Sequence, residues 1–249
     1  MPRKPRVKSE SGIYHVLLRG INREIIFSDE DDRRKFLEVL ADLKKTCGFT
    51  LFGYCLMSNH IHMLIKEGDE PVSKILKRIG VRFVYWYNMK YDRSGPLFQD
   101  RYKSEPVESG RHFLTVLRFI HQNPQKAWVV TKPESYRFSS YAAYINGNNE
   151  LTDTSLAFQM LKYEDFIQFM GEVNDDKCLE CGDFDARLND DDAKDIMRRI
   201  SGLWNPEQVA ALPKKERDKL LAEFRAAGMS IRQVCRLTGV SFGVARKFN

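Results

Sequence analysis

The chain has 249 residues, of which 43% are hydrophobic and 30% charged, with a net charge of +6. That content can bury a core for one medium domain and a smaller appendage, and it excludes fibrous and bulk-disordered classes. No apolar run approaches a membrane span, the basic start Met1-Pro-Arg-Lys-Pro-Arg6 lacks the apolar stretch of a secretory signal, and five irregularly spaced cysteines make no disulfide framework. A soluble protein of the reducing cytoplasm is expected.

The charge is segregated. Residues 1–150 carry a net +8, residues 151–195 a net −9 and residues 196–249 a net +7. Two basic blocks flanking an acidic one attract polyanions, and counterion release from a phosphate backbone would supply much of the affinity. Solvated surface lysines are the plainer reading of either block alone.

In chain order, Gly12–Leu18 is a buried strand, followed by the polar, basic turn Arg19-Gly-Ile-Asn-Arg23. Ser28-Asp-Glu-Asp31 caps and begins a helix through about Thr46, with Phe36, Leu37, Leu40 and Leu43 at helical spacing. Phe49–Leu56 and His60–Ile65 form a hairpin across Met57-Ser58-Asn59, and Val72 to about Lys90 forms a second helix. A further strand region is predicted over Leu97–Val107, then a helix from about His112 to Asn123 that Pro124 stops. The order βαββαβα predicts an α+β fold, a ferredoxin-like antiparallel sheet with helices on one face, over residues 1–145. Residues 146–195 read as an acidic linking region with one or two helices, and residues 196–249 as an α-helical C-terminal region.

Within the third strand, alternation turns His60 and His62 to one face with Leu64, and Ile61, Met63 and Ile65 to the other. The pair offers two imidazoles to one ligand such as a divalent metal, and equally suits packing on a buried strand. Cys178-Leu-Glu-Cys181 has zinc-knuckle spacing but no second CxxC or HxxxH nearby.

At the C-terminus, Ser230–Gly239 followed by Val240–Phe248 has the cadence of a helix-turn-helix, with Ile231, Val234 and Leu237 on the apolar side, Thr238-Gly239 as the turn and Ser241 as the second cap. Arg232, Arg246 and Lys247 are its candidate DNA contacts. Short helix pairs also occur as plain packing units.

Four separated motifs then occur in order: Ile13-Tyr-His-Val-Leu-Leu-Arg-Gly20, Tyr54–Ile65 with its histidine pair, Gly95-Pro-Leu-Phe-Gln-Asp-Arg-Tyr-Lys103, and Leu117-Arg-Phe-Ile-His-Gln-Asn-Pro124. Together they resemble the IS200-like single-tyrosine transposases, in particular the branch associated with REP elements, whose members often end in a helix-turn-helix. The resemblance covers about residues 10–145. It implies an HUH endonuclease and strand transferase: a divalent metal, Mg2+ or Mn2+, on the histidine pair, a tyrosine nucleophile, hairpin-forming single-stranded DNA as substrate and a phosphotyrosine intermediate. Such enzymes are commonly homodimers, sometimes with the tyrosine helix exchanged.

In that family the nucleophile stands four residues before the Asn of the Asn-Pro pair, and here that position is Phe119, which has the ring without the oxygen. On the same helix, residues 112, 116, 119 and 123 fall on one flank, while Phe113, Leu117 and Ile120 form the packing stripe. Asn123 is then either a third metal ligand beside His60 and His62, or the cap of a helix ending at Pro124. Tyr85, Tyr87, Tyr91 and Tyr102 are alternative nucleophiles outside the motif helix. Arg19, Asn22, Arg23, Arg101 and Lys103 are candidates to hold DNA phosphates, the alternative being surface solvation.

Three functions compete: a strand transferase of this type, inactive through Phe119; a DNA-binding protein derived from a transposase, which needs no metal; and a metal-dependent nuclease using water, for which Asp100 or Glu105 would have to serve as base.

Overall fold

The computed structural model describes residues 6–99, 101–147, 150–172, 178–179 and 190–248. Two compact units form: Met1–Pro124 with Lys132–Cys181, and Gln125–Thr131 with Gly182–Asn249.

The first unit is built on four strands, β1 (Ile13–Arg19), β2 (Thr50–Leu56), β3 (His60–Lys66) and β4 (Lys103–Pro106). They pair antiparallel in the order β2-β3-β1-β4, the predicted ferredoxin-like arrangement. β4 is shorter than predicted. Among the described residues of the region 97–107, Lys103–Pro106 alone run as a strand, and Phe98 makes an isolated bridge to Gly20. Gly95, Pro96 and the polar stretch after Phe98 lack the β-branched content that sustains a ladder.

Helices α1 (Glu30–Cys47) and α2 (Val72–Lys90) cover one face. Asp29 starts α1 through a reciprocal capping box with Asp32, and Gly48 ends it in the left-handed region. Phe36, Leu40 and Leu43 of α1 and Ile75, Ile79 and Phe83 of α2 pack on Val16, Leu18, Ile61, Met63 and Ile65. This is the alternation predicted for β3, and it leaves the histidines on the opposite face.

That opposite face is crossed by α3 (Gly110–Lys126). Phe113 stacks edge-on against Phe52, with ring centroids 5.1 Å apart. A Cβ on Gly53 would lie 2.7 Å from Leu117 Cδ1, so glycine lets the helix approach β2. Pro124 does not stop α3, which runs two residues further. A proline's φ is itself helical, and in a last turn it removes a single backbone donor. Asn123 is therefore a helical residue and not a terminal cap.

Helices α4 (Tyr141–Asn146), α5 (Ser155–Met160) and α6 (Tyr163–Gly171) complete the first unit. Arg118 and Gln122 of α3 bind the end of α6. Arg118 pairs with Glu172 at 2.8 Å, and Gln122 donates to the carbonyls of Met170 and Glu172, each at 2.8 Å.

The second unit contains α7 (Asp190–Ser201), α8 (Lys214–Ala226), α9 (Ile231–Thr238) and α10 (Phe242–Ala245), around Met197, Leu221, Phe224, Val234 and Ala245. Ser230 caps α9 by accepting from Gln233 N–H, and Gly239 turns the chain at φ 75°. Ser241 stands before α10 as predicted, but its hydroxyl makes no cap. Its carbonyl closes that single turn by accepting from the N–H groups of Val244 and Ala245.

Candidate functional site

Strand register assembles the site. Residues directly opposite in an antiparallel pair share a face. Arg19 is opposite His60; Lys103, Leu17, His62 and Cys55 form the next row, and Glu105, His15, Leu64 and Gly53 the one after. Three imidazoles from β1 and β3 thus gather on the face that α3 covers. The predicted flank of α3 lies along them: His112 is near Glu105 at 3.7 Å, the Phe119 ring sits 5.7 Å from that of His15 and 5.4 Å from that of His62, and Asn123 reaches His60.

His60 is held at both ring nitrogens. Its Nδ1 lies 2.8 Å from Asn59 Oδ1, and the Asn59 amide is oriented by donating Nδ2–H to the Arg23 carbonyl at 3.4 Å. With the Asn59 oxygen turned to it, Nδ1 is the nitrogen placed to donate, and in that tautomer Nε2 is a lone pair. Burial pushes the His60 pKa down to about 4, and the nearby Arg19 charge adds to that shift against the raising effect of Asn123. The neutral ring then presents a bare Nε2 lone pair, 3.2 Å from Asn123 Oδ1. Two acceptors face one another. Cis ligands of an octahedral ion bound at roughly 2.1 Å stand about 3 Å apart, so the pair fits a shared divalent cation.

His62 is also neutral at physiological pH, since burial and then the neighbouring His60 and His15 hold its pKa well below the ordinary value. Its Nδ1 lies 3.0 Å from His15 Nε2, and its ring is perpendicular to that of His60 at 5.1 Å between centroids. Neutral imidazoles with one amide oxygen are a donor set for a divalent ion of intermediate softness. Among the described residues no group of three or more His, Cys, Asp or Glu side chains is arranged to hold a metal.

Residues 8–123 match the family described as Transposase IS200 like. That stretch is similar to the IS200-like transposases over 116 of the 249 residues. A solved structure described as a REP-associated tyrosine transposase bound to a REP hairpin shares the fold at 17% identity and TM-score 0.51, over 63% of this chain and 96% of that one. No curated protein matches the chain.

The basic candidates are distributed unevenly. Arg19 ends β1 beside His60, and its charge is felt there. Asn22 and Arg23 hold positive φ angles of 49° and 63° in the turn that follows. That turn is tied down by Gly20 N–H donating to Asn59 O and Ile21 N–H donating to Leu97 O, each at 2.9 Å. Lys103 is exposed on the histidine face of β4, and Arg101 is exposed just before that strand. Arg232, Arg246 and Lys247 are exposed in the second unit.

The alternative tyrosines stand elsewhere. Tyr87 is buried in the α1/α2 core, Tyr91 donates its hydroxyl proton to Asp32 at 2.9 Å, and Tyr102 packs against that same core under Arg6. Tyr85 is 69% exposed on α2. Of the candidate general bases, Glu105 lies 3.6 Å from His15 Nδ1, with His15 between it and His62; Asp100 lies outside the described residues. So does Cys181, and with it the CxxC pair.

Sequence reasoning passed over His15 and Asn59. Both stood inside motifs singled out above, and strand alternation put His15 on one face with Arg19. Only the β1/β3 register brings it to His62.

Proposed function

We propose that this chain binds hairpin-forming single-stranded DNA through its transposase domain, with Mg2+ or Mn2+ between His60, His62 and Asn123, and that Phe119 leaves it unable to form the covalent protein–DNA link. The observation that carries this reading is the 3.2 Å approach of His60 Nε2 to Asn123 Oδ1, two atoms that are both acceptors when the His60 proton sits on Nδ1 against Asn59 Oδ1. The related protein solved with a REP hairpin supports the choice of DNA.

A bound cation would polarise a phosphate oxygen and neutralise charge on it. With tyrosine at 119, the phenol oxygen would bond to phosphorus as the bond to the 3′-oxygen breaks, giving a 5′-phosphotyrosine and a free 3′-hydroxyl. Phenylalanine offers no oxygen for that step. Arg19, Asn22, Arg23, Arg101 and Lys103 would hold phosphates around the histidine face, and Arg232, Arg246 and Lys247 of the terminal helix pair would supply a second, helix-turn-helix contact.

A second reading is a DNA-binding protein that needs no metal, favoured by the burial of Phe119 at 2% exposure, which makes it an integral part of the packing. The two readings separate on one gel. The chain and its Phe119→Tyr variant are incubated with labelled hairpin single-stranded DNA and Mn2+, then resolved under denaturing conditions. A protein-linked product from the tyrosine variant alone supports the first. Binding by both with no adduct, and no loss of affinity in a His60→Ala/His62→Ala protein, supports the second. Free 5′-phosphate ends without adduct would overturn both in favour of a nuclease using water.

A further inference from the structure

We propose that Glu105 and His15 are positioning residues that set the tautomer of His62, keeping its Nε2 unprotonated and turned to the site. This rests on the reading of His62 as a cation ligand.

His15 is fully buried, and its two nitrogens have different neighbours. Nε2 lies 3.0 Å from His62 Nδ1. Nδ1 makes no hydrogen bond within ordinary limits, and Glu105 Oε2 stands 3.6 Å from it. The carboxylate is fixed from other directions: its Oε2 accepts from Leu179 N–H at 3.1 Å, and its Oε1 lies 3.7 Å from His112 Nε2.

Two neutral imidazoles in contact share one proton, and two arrangements exist. In one, His15 Nε2–H donates to His62 Nδ1. His15 Nδ1 is then a lone pair aimed at a carboxylate, and the His62 proton moves to Nε2, blocking it as a ligand. In the other, His62 Nδ1–H donates to His15 Nε2, and His15 Nδ1–H points at Glu105. Only the second sets a donor opposite the anion, and in a buried setting a repelled lone pair is costly. The carboxylate thus decides, through one imidazole, which nitrogen of the next is bare.

Asn59 does the same for His60 from the other side of the site. The two histidines therefore present unprotonated Nε2 atoms for separate local reasons, one anchored at the β2/β3 connection and one at β4. Outer-shell carboxylates that orient a ligating histidine typically matter by 10–100-fold in metal affinity.

The test uses the full chain, 15N-labelled and metal-free at neutral pH, and reads the protonation of each His62 ring nitrogen from long-range proton–nitrogen spectra. The wild type should show His62 protonated on Nδ1. Glu105→Ala should move part of the proton to Nε2 and weaken Mn2+ binding, followed by its electron paramagnetic resonance signal, about 10–100-fold; Glu105→Asp should restore both. Wild-type His62 protonated on Nε2, or a tautomer indifferent to Glu105→Ala, overturns the proposal. Should Glu105→Ala fail to fold, Glu105→Leu, which fills the space without an acceptor, is read the same way. If the tautomer responds as stated but the wild type takes up no Mn2+, the positioning role stands and the cation site falls.

Discussion

His60 Nε2 and Asn123 Oδ1, 63 residues apart in the chain, are brought within 3.2 Å by a strand and a helix, and both are acceptors when the His60 proton sits on Nδ1. Replacing the amide with a carboxylate sharpens the conflict and its resolution together. Asn123→Asp should lower the melting temperature of the metal-free protein, because an anion then faces a lone pair. It should also gain more from Mn2+ than the wild type does, since ligand binding to the native state stabilises it. Calorimetry with and without Mn2+ checks both signs; equal gains for the two proteins would speak against a cation at this position.

Phe119 packs its ring edge-on against both His15 and His62 at 2% exposure. Phe119→Ala should cost about 3–5 kcal/mol in denaturant unfolding, the range for truncating a buried phenylalanine. Phe119→Leu should cost less. A loss under 1 kcal/mol for alanine would mean that α3 collapses to fill the gap.

Four buried histidines make stability depend on acid. Burial holds His60 at about 4 and His121 at about 3, and it lowers His15 and His62 from the ordinary 6.5. A depressed folded-state pKa means that the unfolded chain binds more protons below 6.5. The stability is therefore full above that pH and is lost progressively as pH falls through 4. For His60 alone the loss is on the order of 3 kcal/mol. Denaturant melts between pH 7 and pH 4 should show this slope, and His121→Gln should reduce it, because His121 is buried on Ser140 Oγ, at 2.8 Å, and against Tyr141 and Tyr144 rather than against His60 or His62.

Gly20 sits where the basic turn folds back. A Cβ there would lie 2.1 Å from the Glu24 carbonyl oxygen and 2.9 Å from Ile26 Cγ2. Gly20→Ala must displace backbone, so it should destabilise by on the order of 2 kcal/mol and misplace Arg19 and Arg23. Hairpin-DNA affinity should fall several-fold at a temperature where the variant is still folded, as read by fluorescence anisotropy; unchanged affinity would remove this turn from the interface.

Arg23→Ala and Lys103→Ala should each weaken DNA binding uniformly across sequences and reduce the salt slope of log Kd by about one. A salt titration of each variant against the wild type decides whether these side chains touch phosphate.

The residue order carried much of this before any coordinates. Helical and strand periodicity marked β1, α1, β2, β3 and α2 to within a residue or two, because their apolar positions repeat at the spacing that burial on one face demands. Strand alternation alone separated His60 and His62 from Ile61, Met63 and Ile65. The length of β4 and the passage of α3 through Pro124 were not legible, since both depend on what the neighbouring chain can pair or pack rather than on local preference. The same holds for the environment of the histidines. Which β1 residue meets His62, and that Glu105 lies behind it, follows from strand register, which is a long-range choice. That Asn123 faces a bare nitrogen follows from the path of α3 across the sheet, allowed by the missing side chain at Gly53. Local sequence determined which side chains share a face. Tertiary packing decided which of those faces meet, because burial and close approach join residues that the chain keeps far apart.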